Sequence, residues 1–305
     1  MPATVSILIP TRNAAASLGR LLASLDRQTL RPLEIVVWDS ASQDATLEIA
    51  ARYGAIVIST DENDFDHAAT RSRMAKAARG DVVLFLTHDA IPADDHALES
   101  LVAALLRQDD IGCAYGRQLA APDASASAGF LRDFNYPPHS EIRSLSDRGR
   151  LGFATFFCSN SFAAWRKSAL EKIGWFGDSA IFGEDARAAA RLLVAGFRLA
   201  YAAEATVEHS HNYTFAEEFR RSFDIGVFHT REPWLLTAFG GPAGRGKHFI
   251  LKQSGELFHA GKIGTLAATV CRNGAKACGY LLGRHYGLVP GCLCRFFSMN
   301  RRWWR

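Results

Sequence analysis

Short apolar runs alternate with amphipathic segments over residues 5–90 of the chain. The apolar runs are rich in branched side chains, which is typical of strands buried on both faces of a parallel sheet. They lie at residues 5–9, 34–38, 55–59 and 82–86. The segments between them have helical periodicity, clearest at residues 14–28, where four leucines fall on one face. This alternation predicts an α/β fold with a doubly wound, mostly parallel sheet.

The same alternation continues more loosely to about residue 213, where the pattern becomes helical. Further helices are predicted at residues 94–108, 167–173 and 181–194, and further strands at 111–117 and 199–208. Residues 120–150 lack periodicity, so we expect a long loop with short helices, of a kind that often carries function. We therefore predict a first domain, of the α/β class, over residues 1–213.

Residues 214–305 are predicted to form a C-terminal helical extension. Thr214 and Glu217 have the spacing of a capping box at the start of a helix. A glycine-rich break is expected at residues 240–246, with helices over residues 247–286. The chain has no internal repeat that would indicate a second copy of either part.

The charge of the chain is concentrated in this extension. The total is +4, but from Phe239 onward there are eleven Lys or Arg and one acid, so that segment carries +10 and residues 1–238 carry −6. A basic segment of this kind favours an anionic partner, such as a membrane surface, where Trp303 and Trp304 would suit the interface. The alternative is a helical cap or a homodimer contact. No nucleic-acid-binding module is recognisable, so no nucleic-acid partner is expected.

Composition places the chain among cytoplasmic globular proteins. Its 305 residues are 48% hydrophobic, yet no apolar stretch is long enough to span a bilayer. The N-terminus lacks the basic flank and cleavage site of a signal peptide. Six cysteines without paired zinc spacing indicate free thiols in a reducing compartment. We expect a cytoplasmic protein, with the basic extension allowing peripheral contact with the inner membrane.

Polar side chains follow the ends of several predicted strands. They are Arg12, Asp39, Asp89, His209 and His211, and a further pair, Glu184 and Asp185, opens a predicted helix. Because the carboxyl ends of parallel strands meet at one edge of a sheet, where open α/β sheets bind ligands, one crevice is expected to collect these groups.

Asp89 follows the most continuous apolar run in the chain, at residues 82–86. Its short carboxylate suits a divalent cation that holds phosphate oxygens, although it could instead cap the turn before Pro92. His209 and His211 lie two residues apart, so they share a face of an extended segment. Either imidazole could complete a metal site with Asp89.

Asp39 stands where α/β folds meet a base or ribose, and its carboxylate could accept the imide N–H of uracil or thymine. Arg12 and Arg71 are candidates for contact with a pyrophosphate, the alternative for each being a surface charge. Asp39 could instead cap the following helix, but Ser42 or Asp44 could also do so.

Glu184 and Asp185 lie at a helix N-terminus, where the helix dipole stabilises carboxylates. That position allows a structural role, whereas the functional interpretation is that one of them deprotonates an acceptor hydroxyl. Trp165 could stack on a sugar face, with core packing as the alternative in so apolar a stretch.

Several ordered motifs together resemble glycosyltransferase family 2. They are VSILIPTRN, WDSASQDAT, FDHAATRSRMAKAARGDVVLFLTHDAIP and FGEDARAAARLLVAGFRLAYAAEATVEHSHNYT. Within that family, GRQLAAPDASASAGFLRDFNYP, from Gly116 to Pro137, is most similar to bacterial rhamnosyltransferases that use dTDP-L-rhamnose. The resemblance covers nearly the whole chain and implies a GT-A fold, with a Rossmann-like, mostly parallel sheet.

The resemblance also implies roles for individual residues. Asp185 would be the catalytic base, with Glu184 and Trp165 near the acceptor, and Asp89 would bind Mg²⁺ or Mn²⁺ with help from His209 or His211. The donor would contact Pro10, Thr11, Arg12, Asp39, Arg71, His88 and Asp89. The chain departs from a full DxD motif, because Thr87 and His88 stand at its first two positions.

The activity that the resemblance implies is inverting transfer of a sugar, L-rhamnose above all, to a hydroxyl of a cell-surface polysaccharide or lipid-linked glycan precursor. The incomplete DxD motif leaves open a nucleotide-sugar-binding module without turnover, and a UDP-sugar is an alternative donor. A dinucleotide oxidoreductase is disfavoured, because Pro10 to Asn13 stand where a G-x-G-x-x-G motif would follow the first strand.

Overall fold

A mixed sheet of nine strands lies at the centre of the computed structural model, which describes residues 3–61 and 64–304. The strands within this range are β1 Val5–Thr11, β2 Glu34–Ser40, β3 Ile56–Thr60, β4 Val82–Leu86, β5 Ile91–Pro92, β6 Ile111–Leu119, β7 Glu141–Arg143, β8 Phe162–Arg166 and β9 Arg198–Glu208. Their order is β3-β2-β1-β4-β8-β6-β9-β5, and β7 pairs with β9. The outer limits of the two predicted domains, residues 1 and 305, lie outside the described range.

Strand direction explains how one edge of the sheet gathers polar residues. β1, β2, β3 and β4 are parallel to one another, whereas β8 is antiparallel to both β4 and β6. Since β6 is parallel to β9, both strands run in the same direction as β4. The carboxyl ends of β1, β2, β4, β6 and β9 therefore share one edge of the sheet.

Helices cover both faces of the sheet, as the periodicity predicts. They are α1 Ala15–Arg27, α2 Thr46–Arg52, α3 His67–Ala77, α4 Ala97–Leu106, α5 Ala126–Asn135, α6 Arg148–Leu151, α7 Lys167–Lys172, α8 Glu184–Val194, α9 Phe215–Arg231, α10 Pro233–Phe239, α11 Ala243–His259, α12 Ile263–Arg284 and α13 Gly291–Phe297. Leu84 of β4 packs with α1 and α4 on one face, and Phe85 packs with α3, α8 and α9 on the other. Burial on both faces explains why β4 is apolar throughout.

The C-terminal helices pack tightly onto the catalytic part of the chain. Phe223 and Val227 of α9 belong to the same hydrophobic cluster as Phe85, so the core continues across the predicted boundary at residue 213. The division into two domains stays a prediction. α11 begins at Ala243, inside the predicted break, with Pro242 at its N-cap. Gly244 and Gly246 are therefore helical, although glycine has a low helix propensity.

The terminal tryptophans are packed against the core on one side. Trp303 and Trp304 are half-buried and pack against the core cluster. Trp303 Nε1 donates a hydrogen bond to Ser179 Oγ at 3.2 Å, and the Trp304 ring lies 6.0 Å from that of Phe223. Packing thus accounts for part of each ring, and contact of these two rings with a membrane stays a prediction. Among the described helices, none has both the length and the apolarity needed to cross a bilayer.

Candidate active site

Sheet register brings the predicted metal ligands together. In the antiparallel pair of β5 and β9, Ile91 lies opposite Glu208. Asp89 precedes Ile91 by two residues, and His209 directly follows Glu208, so pairing of the strands carries both side chains to the same point. His211, two residues further on, lies on the same side, and its ring is 4.7 Å from that of His209.

The resulting cluster has the donor atoms of a divalent-metal site. One ligand atom from each of Asp89, His209 and His211 lies within 4.8 Å of the other two. His209 Nδ1 is 3.5 Å from Asp89 Oδ1, and His211 Nε2 is 3.8 Å from Asp89 Oδ2. His209 Nδ1 is also buried without a hydrogen-bond partner, and a bound cation would satisfy it.

Electrostatics favour the ligand forms of these three residues. Burial lowers the pKa of His209 to about 4, so the imidazole is neutral at physiological pH, as a metal ligand must be. Burial alone would raise the pKa of Asp89, but the charges of His209 and His88 outweigh it and hold that pKa below its ordinary value. Asp89 is thus a carboxylate, and the residues fit a divalent ion.

Asp185 lies in the first turn of α8, directly after Gly183 and Glu184. Gly183 has a φ of 71°, and a side chain there would crowd the ring of Phe228, so glycine sets the start of the helix. Asp185 Oδ2 accepts a hydrogen bond from the backbone N–H of Asn160 at 3.0 Å, and Oδ1 accepts one from Ala186 N at 2.7 Å. Burial, followed by the charge of Glu184, raises the pKa of Asp185 to about 6.

Glu184 is held differently, although it is the adjacent residue. Arg71 Nη1 lies 3.2 Å from Glu184 Oε1, and both side chains are nearly inaccessible. Burial would raise the pKa of Glu184, but Arg71 and His67 outweigh it and lower that pKa. Arg71 is therefore a buried partner of Glu184, and the alternative of a surface charge is wrong for this arginine.

The donor residues predicted around the first two strands lie together. Thr11 and Asp39 are register partners in β1 and β2, and Thr11 Oγ1 donates a hydrogen bond to Asp39 Oδ1 at 2.9 Å. Ser42 Oγ and N also donate to this carboxylate, at 2.6 and 2.8 Å. Asp39 is fully buried, and its carboxylate connects the end of β1 to the turn after β2. Its contact with a base stays a prediction.

Two adjoining cavities open along this edge of the sheet. The smaller, of about 290 Å³, is lined by the end of β1 and the residues that follow β1 and β4, namely Pro10, Thr11, Arg12, His88 and Asp89. The larger, of about 550 Å³, contains Glu184 and Asp185 and is walled by aromatic side chains, among them Phe153, Phe157, Phe182, Tyr136 and Tyr213. Arg71, His209 and His211 line both cavities, so they form part of the shared wall.

Asn160 is a site residue that sequence reasoning missed. Its backbone N–H holds Asp185, its Nδ2 lies 3.4 Å from Glu184 Oε1, and its Oδ1 accepts a hydrogen bond from Trp165 Nε1 at 2.8 Å. Trp165 is fully buried, so its ring presents no face to a sugar and the predicted stacking role is wrong. The indole instead packs in the core and orients Asn160.

Comparison with known proteins decides the family. The family profile "Glycosyl transferase family 2" matches residues 6–174. O-antigen chain rhamnosyltransferase RfbN of Salmonella typhimurium is 39% identical over 302 residues, covering 98% of this chain and 96% of that protein. The chain belongs to glycosyltransferase family 2. A second relative, O-antigen chain rhamnosyltransferase WbaN of Salmonella anatum, is 38% identical over 98% of this chain and 95% of its own.

Solved structures confirm the expected GT-A fold of this glycosyltransferase. Mannosyltransferase PcManGT from Pyrobaculum calidifontis, solved with GDP-Man and Mn²⁺, has a TM-score of 0.62 at 15% identity. The match covers 93% of this chain and 87% of the PcManGT chain. The structure of TarS 1–349 from S. aureus, solved with UDP-GlcNAc, has a TM-score of 0.56 at 16% identity, and the match covers 98% of this chain and 89% of the TarS chain. The edge of the sheet that carries Asp89 and Asp185 is thus the candidate active site of a glycosyltransferase.

Proposed function

We propose that this glycosyltransferase transfers L-rhamnose from dTDP-L-rhamnose to a hydroxyl of a cell-surface polysaccharide or lipid-linked glycan precursor. Similarity to two O-antigen chain rhamnosyltransferases over nearly the full length of each chain supports this choice of sugar and acceptor class. The observation that carries the reaction type is Asp185, a half-buried carboxylate with a pKa of about 6 in a cavity that adjoins the proposed donor residues.

The proposed reaction is a single displacement with inversion. An acceptor hydroxyl enters the larger cavity and gives its proton to Asp185, whose pKa allows it to be ionised at neutral pH and still basic enough to act. The hydroxyl oxygen attacks the anomeric carbon from the face opposite the nucleotide. The bond to the diphosphate oxygen breaks, and dTDP leaves with the electron pair.

The donor half of the site is proposed to hold the nucleotide and its leaving diphosphate. Pro10, Thr11, Arg12 and His88 line the smaller cavity, where the nucleotide would lie. Arg71 faces both cavities, so its positive charge is available to the diphosphate as negative charge develops there. Glu184 stays ionised beside Arg71 and keeps the guanidinium oriented.

Asp89, His209 and His211 would hold the divalent cation. When bound, the cation supplies positive charge that offsets the charge of the diphosphate. Two imidazoles and one carboxylate suit Mn²⁺ better than Mg²⁺, which prefers oxygen ligands throughout. Within this proposal, the three-residue cluster compensates for the missing acidic positions at Thr87 and His88.

The basic extension fits an acceptor that is presented at a membrane. A lipid-linked precursor lies at the bilayer surface, and the segment from Phe239 onward carries a charge of +10. As part of the proposed function, the protein therefore works in the cytoplasm, peripheral to the inner face of the membrane.

The test is donor hydrolysis and binding over a panel of nucleotide sugars. The panel contains dTDP-L-rhamnose, UDP-glucose, UDP-galactose and GDP-mannose, each with Mn²⁺, with Mg²⁺ and with EDTA. We expect selective hydrolysis of dTDP-L-rhamnose with Mn²⁺, weaker hydrolysis with Mg²⁺ and none with EDTA. His209→Ala should weaken the apparent affinity for Mn²⁺ by roughly 10–100-fold.

Each other result has a definite meaning. Preference for a UDP-sugar or GDP-mannose would keep the reaction type and reject rhamnose as the sugar. Hydrolysis that survives EDTA, with Mn²⁺ affinity unchanged in His209→Ala, would reject the metal site. Binding of a donor without turnover, even with an O-antigen precursor added as acceptor, would favour a nucleotide-sugar-binding module.

A further inference from the structure

Exposed hydrophobic side chains are concentrated in the most basic part of the molecule. Eleven of the sixteen large hydrophobic side chains that are exposed in the described residues lie at or beyond Ile250. The same segment has the greatest excess of Lys and Arg over acids. Contiguous apolar exposure of this kind marks an interaction surface rather than a chance scatter.

α11 and α12 form a helical hairpin whose polarity is reversed. The hairpin comprises residues 243–284, with a short turn between the helices. The residues buried between its arms are polar, with Gln253 of α11 lying 3.4 Å from Asn273 of α12. Large apolar side chains face outward beside the exposed lysines, since Leu251 and Phe258 of α11 are 60% and 64% exposed. A helical hairpin whose outer face contacts only water usually buries apolar residues between its helices and exposes polar ones.

The outward face of α12 is an unbroken apolar stripe. Its members recur every three or four residues and are all exposed: Ile263, Ala267, Val270, Gly274, Cys278 and Leu281. The helix has 22 residues, so the stripe runs for about 30 Å along its axis. The opposite face of α12 is already occupied by α9, through the close approach of Gly279 to Phe219. The stripe therefore needs an external partner.

The charges around the stripe favour an anionic surface over a second copy of the chain. Lys247, Lys252 and Lys262 are exposed on the hairpin, and its single acid is Glu256. Two copies that met through this face would bring two +10 segments together, which is unfavourable. Basic residues beside exposed apolar ones are instead the pattern of a helix that lies in the interface of an anionic bilayer.

The base of the hairpin adjoins the larger cavity, and its tip, residues 258–263, is exposed. Arg245 Nη2 donates a hydrogen bond to Asn135 Oδ1 at 2.9 Å, and Asn135 lines that cavity together with Pro242. Phe249 packs on Phe134 of α5, with ring centres 5.1 Å apart. A hairpin lying on a bilayer would therefore bring the acceptor side of the site close to the membrane.

We propose that the α11–α12 hairpin is a membrane-docking element, whose tip residues Phe258 and Ile263 insert among the headgroups of anionic lipids while Lys252 and Lys262 contact their charges. This inference deepens the proposed function, because the acceptor cavity would then face a lipid-linked substrate. The docking itself depends only on the surface of the hairpin.

Vesicle flotation of the full-length protein tests the proposal. Vesicles of phosphatidylcholine alone are compared with vesicles that also contain phosphatidylglycerol. We expect flotation with the anionic vesicles and little with the neutral ones. Replacing both tip residues by glutamine, Phe258→Gln with Ile263→Gln, should lower the partition coefficient by about tenfold or more. Lys252→Gln with Lys262→Gln should lower it roughly fivefold per charge, and added salt should remove this second effect.

A matched control separates the hairpin from general surface hydrophobicity. Leu33 and Ile56 lie on the catalytic part of the chain and are 47% and 43% exposed, against 64% and 58% for Phe258 and Ile263. Leu33→Gln with Ile56→Gln should float as the unchanged protein does. If the tip variant also floats normally, the hairpin is not the docking element and the proposal fails.

Light scattering and activity measurements complete the test. The proposal is overturned if the unchanged protein does not float and is a dimer, whereas the variant with both Phe258 and Ile263 replaced is a monomer. That result would assign the stripe to a contact with a second copy of the chain. Donor hydrolysis is measured for every variant without vesicles and should be unchanged by the tip substitutions. Vesicle binding without any sugar transfer would support the docking element and reject the proposed function. Sugar transfer without vesicle binding would support the proposed function and reject the docking element.

Discussion

Two adjacent carboxyl groups at the start of α8 have pKa values that are shifted in opposite directions, because their surroundings differ. Arg71 and His67 compensate the burial of Glu184, so its pKa is lowered and it stays charged. Asp185 has no such cationic partner at hydrogen-bond distance among the described residues, and burial beside Glu184 raises its pKa to about 6. Carboxyl pairs whose environments separate their pKa values commonly divide acid–base and electrostatic roles. Asp185 is therefore the better candidate for the base.

Replacement of the base should affect turnover far more than donor binding. Asp185→Asn keeps the shape of the side chain and an oxygen for the Asn160 N–H, but it removes the basic group. We expect kcat to fall by roughly 10²–10⁴-fold, with the donor Kd nearly unchanged. Steady-state kinetics and donor titration measure the two quantities. Asp26→Asn, at an exposed position on α1, is the control, and full turnover by Asp185→Asn would reject the assignment.

The pH dependence of the reaction should reflect the same group. Asp185 must be deprotonated to accept a proton, and its pKa is about 6. We therefore expect kcat/KM to be level above pH 7 and to fall by about tenfold per unit below pH 6, measured with saturating Mn²⁺. The residual rate of Asp185→Asn should lack this acid limb. Persistence of the limb in that variant would assign it to another group.

The sequence predicted the chemical groups of the site better than their contacts. Strand ends pointed to Asp89 and His209, because parallel strands bring their carboxyl ends to one edge whatever the details of packing. The contact between Asn160 and Asp185 joins a loop to the first turn of α8 across 25 positions, and no periodicity in the sequence predicts such a contact. Trp165 was assigned wrongly since an aromatic residue in an apolar strand has the same sequence signal whether it is buried or exposed.

At the scale of elements, small residues set the distance between α9 and α12. A Cβ atom at Gly279 would overlap the carbonyl oxygen of Phe219, and one at Gly283 would overlap that of Phe223. Gly226 of α9 meets α12 equally closely from the other side. Close backbone approach of this kind requires glycine and leaves no room for any side chain. The glycines that lower helix propensity in α12 are thus needed for its packing.

Two glycine substitutions in α12 should have opposite effects on stability. Gly283→Ala forces the helices apart and should cost roughly 1–3 kcal/mol of unfolding free energy, the usual range for overpacking. Gly274→Ala lies in the same helix with nothing within 4 Å, so it should stabilise by about 0.5–1 kcal/mol. Denaturant or thermal unfolding measures the change in unfolding free energy of each variant and therefore its sign. Equal stabilisation by both would mean that α12 does not pack closely on α9.

Elements with strong periodicity were predicted well, and those defined by tertiary pairing were not. The strands β1, β2 and β4 and the helix α1 carry clear apolar patterns, and all were found in the structure. β8 was not recognised as a strand, because its antiparallel place between β4 and β6 follows from sheet pairing rather than from its composition. The GT-A fold itself rested on resemblance, which carries the order of strands that periodicity alone leaves open.

At the scale of the whole molecule, the C-terminal segment is connected to the active site. The Asp224 carboxylate accepts hydrogen bonds from Met299 N at 2.9 Å and Asn300 N at 3.2 Å, which fixes the segment on α9. Asn300 Nδ2 in turn lies 3.3 Å from the carbonyl oxygen of Ile181, and Trp303 contacts Ser179. Since residues 179–183 lead directly into Glu184 and Asp185, the end of the chain braces the loop before the catalytic helix.

Removal of residues 298–305 should therefore impair catalysis, although none of the described residues 298–304 lines either cavity. Without the brace, the loop before α8 gains freedom, and Asp185 is no longer held in one position. We expect kcat to fall by roughly tenfold to a hundredfold, because small displacements of a catalytic group have effects of that size. Kinetics of the truncated protein measure this fall, and retention of full kcat would show that the brace is not needed.

Asp224→Asn is the matched control for the truncation, because its amide oxygen can still accept from both backbone N–H groups. It should keep kcat. Burial raises the pKa of Asp224 to about 6, so folding disfavours its charged form. The unfolding free energy of the unchanged protein should consequently decrease as pH rises from about 4 through 6, and this decrease should be smaller in Asp224→Asn, where Asp185 still contributes to it. Thermal unfolding of both proteins across that range measures the difference in slope. If the two curves stay parallel, folding does not raise the pKa of Asp224, and the carboxyl group holds the C-terminus against α9 without a cost from its charge.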